Sequence, residues 1–218
     1  MKTSIIIIGM ALTLLSCSKD DSHQGTALEP YGGTAPREAD HRYNSAGRAY
    51  KEILDHFQNK GDHLTDRQKL SEEVFSTMVS LGARPDPSVQ GTGTVGDGDP
   101  YKLEGIIDGS WLGYPAREQL RELVGEMPYL QRQGRQALLR FMDTYQKRVA
   151  SSGMFSQAEK DVILTTASLF LYADGDPGDR PDKDWEISVG NMARVVEGAL
   201  HDPDTAIYTL LLERLSSP

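Results

Sequence analysis

The chain has 218 residues, 38% of them hydrophobic, a formal net charge of -9 and a single cysteine, Cys17. One cysteine excludes a disulfide or a cysteine-based zinc site within the chain, so packing has to hold the fold together. The surplus of negative charge disfavours nucleic acid and anionic lipid surfaces as partners; it leaves cations, basic proteins and neutral glycans.

Residues 1–17 read MKTSIIIIGMALTLLSC. Lys2 gives a positive start, Ile5 to Leu15 an apolar run and Ser16 a small residue, which is the pattern of a secretory signal. The run is shorter than the roughly 20 apolar residues of a spanning helix, and polar residues follow at once. Leu14-Leu15-Ser16-Cys17 resembles the lipobox of bacterial lipoproteins, and Ser18-Lys19-Asp20-Asp21 resembles the surface-export tether of Bacteroidota lipoproteins. The resemblance is confined to residues 1–22. It implies removal of residues 1–16 as a signal peptide, fatty acylation (palmitate) of Cys17, and an outer-membrane location facing the cell surface rather than the periplasm. Residues 17–39, rich in Gly, Ser, Thr, Pro and charge, are expected to form a flexible tether.

A single helical domain is expected over residues 40–218. Tyr43, Ala46, Tyr50, Ile53, Leu54 and Phe57 recur at three- and four-residue steps, one apolar helix face that stops at Gly61. Thr65 is the expected N-cap of a second helix with Leu70, Val74, Phe75, Met78 and Leu81 on one face, stopped at Gly82. Their short connection suggests a helical hairpin. Residues 82–114 hold eight glycines with Pro85, Pro87 and Pro100, and are expected to be a long insertion loop in which only Leu103 to Ile107 makes a short strand. Pro115 opens the next helix, with Leu120, Leu123, Val124 and Met127, and Pro128 is expected to open or kink the following one, with Leu138, Phe141, Met142, Tyr145 and Val149. Ser156 to Glu159 has capping-box spacing, and the run from Val162 to Leu171 is apolar nearly all round, the mark of a central helix. Trp185, Val189, Met192, Val196 and Leu200, then Ile207, Leu211 and Leu215, give two more. The expectation is an all-α fold, an irregular bundle of about seven helices with one long Gly/Pro-rich loop.

Two loops are the site candidates. Residues 174–186 carry six carboxylates, Asp174, Asp176, Asp179, Asp182, Asp184 and Glu186, on a turn-rich stretch that can converge oxygen ligands on calcium. EF-hand spacing is not met, because Asp179 stands where a glycine is needed, and a solvated acidic loop at a helix start is the simpler expectation. Asp-Gly-Asp-Pro occurs at Asp97–Pro100, with Asp97 and Asp99, and again at Asp174–Pro177; each is followed by a tryptophan, Trp111 and Trp185. Trp111 and Tyr114 lie in the long loop as candidate binding aromatics, with Trp111 expected to fold back as a lid on the core. Arg132, Arg135, Arg140, Lys147 and Arg148 form a basic helix face expected to be solvated. Metal-binding histidine spacing, GxSxG, a P-loop and SxxK are absent from the sequence, and no catalytic residue can be named. These features suit a membrane-anchored lipoprotein that acts as a non-catalytic binding or accessory module for a protein or glycan. The alternative is a small secreted hydrolase using loop carboxylates on cell-wall or polysaccharide substrates.

Overall fold

A computed structural model describes residues 43–60, 66–89, 100–173 and 189–216. All of them belong to one compact unit, Glu38–Pro218. Cys17, the tether, Asp97, Asp99 and the acidic loop lie outside the described residues. Among those residues are eight helices and no strand: α1 (Ser45–Lys60), α2 (Arg67–Ser80), α3 (Pro100–Gly109), α4 (Tyr114–Gln133), α5 (Arg135–Ser151), α6 (Gln157–Ala173), α7 (Val189–His201) and α8 (Pro203–Ser216). A 3₁₀ turn covers Pro87–Val89. The all-α expectation holds.

The bundle is built on α6. Val162, Ile163, Ala167, Leu169, Phe170 and Leu171 are buried, and so are its hydroxyl residues Thr165, Thr166 and Ser168. From Val162 onward the helix has no exposed residue and has to be wrapped, and α1, α4, α5, α7 and α8 all pack against it. Ser168 Oγ accepts the Gly47 N–H at 2.8 Å, a bond that satisfies one of the amides α1 leaves open in its first turn. Thr166 Oγ1 donates to the Val162 carbonyl one turn back.

Four expectations need correction. First, α1 and α2, expected to pair as a helical hairpin, pack mainly on other helices: α1 lies on α6 and α8, α2 lies on α8, and an ion pair between Lys60 and Glu73 links the two. Second, the cap of α2 is Asp66, one residue after Thr65, whose carboxylate accepts the amides of Gln68 and Lys69. Asp caps well because its anion also meets the positive end of the helix dipole. Third, the strand expected at Leu103–Ile107 is part of α3. Leu103 and Ile107, four residues apart, form its buried stripe, and Gly105 faces open space. Fourth, Pro128 does not open a new helix: α4 continues through it to Gln133 and ends at Gly134, where φ is +85°. Leu120, Leu123, Met127 and Leu130 keep one continuous buried stripe across the proline, and that burial outweighs the lost amide. The stop at Gly82 is as expected: with φ at +89° it lets Ala83 N–H reach the Met78 carbonyl and Gly82 N–H the Val79 carbonyl, a Schellman ending.

Two glycines are placed by close helix approach. A Cβ on Gly198 of α7 would come within 2.6 Å of Ala206 Cα on α8, and one on Gly47 within 2.6 Å of the Ser168 carbonyl. Gly125, inside α4, faces open space. Gly198→Ala is therefore expected to lower stability by about 1–3 kcal/mol, and Gly125→Ala to raise it by about 0.5–1 kcal/mol. Urea midpoints of the two variants, moving in opposite directions, check this.

Candidate functional site

The α3–α4 connection, Ser110 to Gly113, is short and tied down at each residue. The Ser110 hydroxyl donates to the Ile107 carbonyl at 2.7 Å, which closes the end of α3. Leu112 is 3% exposed and belongs to the core. Gly113 precedes α4 in extended conformation, Tyr114 is the first helical residue, and Pro115 falls one place later than expected. Arg117, one turn into α4, reaches back to the Asp108 carbonyl at 2.9 Å.

Trp111 is where the lid expectation has to be revised. The indole Nε1–H donates to the Leu200 carbonyl at 3.1 Å, in the last turn of α7, yet the residue stays 56% exposed. Its neighbour Leu112 supplies the buried side chain instead. An indole needs an acceptor for its N–H, and the carbonyls left open at a helix C-terminus lie at the surface. The ring is thus held at one edge with an apolar face toward solvent. Tyr114 is 67% exposed.

The loop before α6 is fastened to this connection. Glu159 forms the expected capping box: its Oε2 accepts the Ser156 amide at 2.8 Å, and its own amide donates to the Ser156 hydroxyl. Its other oxygen accepts the Gly113 N–H at 2.9 Å. One carboxylate therefore caps α6 and pins the turn that carries Trp111 and Tyr114. The same α5–α6 loop carries Met154, 73% exposed. Sequence spacing exposed the capping box; Gly113, forty-six residues away along the chain, has no local signal that marks it as a partner.

Asp97, Asp99, Asp174, Asp176, Asp179, Asp182 and Asp184 lie outside the described residues, and with them the calcium expectation. The helices that come after the two Asp-Gly-Asp-Pro stretches, α3 and α7, pack against each other. Among the described residues no group of three or more His, Cys, Asp or Glu is arranged to hold a metal ion. The basic face is partly used inside the domain. Arg135 donates to the Leu171 carbonyl at the end of α6, Lys147 pairs with Asp143, and Arg148 pairs with Glu122 and lies 5.4 Å from the Tyr145 ring centre. Comparison with protein-family models, with curated proteins and with solved structures gave no match.

The bonds from the Ser156 amide, then from the Gly113 amide and the Ser156 hydroxyl, hold the Glu159 carboxyl below its ordinary value of 4.5. A carboxylate lowered in this way stabilises the folded state above its unfolded pKa and loses that contribution as pH falls through the folded value. Glu159→Gln is expected to lower stability at pH 7 by about 0.5 kcal/mol, a figure reduced for solvent screening. Urea melts at pH 7 and pH 3 check the sign: the difference from the parent should shrink below about pH 4.5.

Proposed function

We propose that the chain is an outer-membrane lipoprotein, anchored through acylated Cys17 and displayed at the cell surface. Its helical domain binds a protein or glycan partner through the surface around Trp111 and Tyr114. The observation that carries the binding reading is the indole of Trp111, half exposed and yet fixed by its bond to the Leu200 carbonyl. Aromatic side chains are favoured anchors at interfaces, and one already held in place loses less entropy when a partner covers it. Glu159 adds to this by pinning the turn beneath the ring.

Among the described residues no helix is long and apolar enough to cross a membrane, so attachment in this reading rests on the lipid at Cys17. The hydrolase alternative calls for a carboxyl held in its acid form in a cleft. The two described carboxylates that are shifted, Asp86 and Glu159, are both shifted downward, by hydrogen bonds from Ser88 and from Ser156 and Gly113. Both are engaged in turns and caps, and the loop carboxylates on which the hydrolase alternative rests lie outside the described residues.

Cys17→Ser is expected to abolish incorporation of alkyne-tagged palmitate and to release the protein from the membrane fraction. Pull-down of the chain with cell-wall polysaccharide and with envelope protein fractions tests the surface. Trp111→Ala should weaken capture about 30-fold with an unchanged helical circular dichroism spectrum. Capture that survives both Trp111→Ala and Tyr114→Ala would sink the reading. So would polysaccharide turnover that is lost with single Asp or Glu changes.

A further inference from the structure

Apart from the Trp111 surface, the domain has a concavity whose role is still open. It has a volume of about 370 Å³ and lies between α1, the end of α2 and the first turns of α8, a size within the usual range for small-molecule sites. Its inner wall is apolar, with the buried side chains of Ile53, Met78 and Ile207. Leu81, 59% exposed, also lines it and has apolar surface left to cover. Leu81 and Gly82 come to this position because α2 ends there in its Schellman turn.

The charges of the lining are one-sided. Among the described residues, Glu52 and Asp204 are the ionisable groups that line it, and no Lys, Arg or His does. Asp204 is held in place, since its Oδ2 accepts the Arg84 N–H at 2.7 Å. Next to it Thr205 Oγ1 accepts the Asp86 N–H at 2.9 Å, so the segment after α2 is fastened to the start of α8. The wall is therefore built before any ligand arrives.

We propose that this cavity binds a small organic cation with an apolar body, an amine carried on a ring or a short alkyl chain. The apolar wall and Leu81 take the body, and the two carboxylates take the ammonium group, which has only donors to offer. The net charge of -9 draws such a ligand in and repels an anion of the same shape. Glu52 on α1 and Asp204 on α8 are brought to one site by the packing of α1 on α8 alone. The site shares no residue with the Trp111 surface and does not rest on it.

The probe is 2-phenylethylammonium, titrated into the full chain by calorimetry and by thermal melting. Binding of one equivalent with a rise in Tm is expected, while phenylacetate, similar in size and opposite in charge, gives neither. Glu52→Gln, at an exposed position, should weaken the amine about five- to tenfold. Ala49→Phe, which fills the cavity from α1, should abolish binding, and Trp111→Ala should leave it unchanged. Equal binding of the amine and phenylacetate, no response to the amine, or an affinity untouched by both Glu52→Gln and Ala49→Phe would overturn the proposal.

Discussion

A helix with no exposed residue from Val162 to Ala173 sets the terms for the rest of this domain. The apolar side chains of α6 point in every direction, so their burial needs neighbours on all sides, and five helices supply them. The buried hydroxyls on α6 decide how closely those neighbours come. Ser168 takes the Gly47 amide, and the absence of a side chain on Gly47 lets the α1 backbone approach the Ser168 carbonyl. Hydrogen bond and close contact support each other: a Cβ at residue 47 would push away the amide that Ser168 satisfies. The α7–α8 hairpin uses the same device at Gly198.

Polar links at the helix ends then turn a packed bundle into one with fixed surfaces. Glu159 is a local cap that also acts over long range, because a carboxylate has two oxygens and the capping box uses one of them. Asp204 plays the same part at the other joint, holding the segment after α2 against the start of α8. Arg121 gathers Glu104, Asp108 and Glu118 on the outside, tying α3 to α4. Such exposed pairs contribute little to stability on their own, but they keep a strongly acidic surface from crowding like charges together. Two surfaces result: the fixed aromatic edge at Trp111, and the apolar cavity with its two carboxylates.

The sequence by itself determined the helical class, the faces of α1, α5 and α8, that of α2 short of the exposed Leu81 and that of α7 from Met192 on, the central place of α6, the capping box at Ser156 and the stop at Gly82. These are legible because they are local. Periodicity of 3.6 residues, a side chain bonding an amide three residues on, and a glycine at positive φ are written within a few positions of one another. Tertiary structure decided the rest. In α3 the helical spacing of Leu103 and Ile107 was masked by glycines that argue for a loop, and packing on α7 settled it. In α4 a proline that locally favours a break lost to a buried stripe running through it. The acceptor for Trp111, the second partner of Glu159 and the meeting of Glu52 with Asp204 join residues distant in the chain. No local rule specifies such pairs, since they follow from which apolar faces cover one another once the whole core is buried.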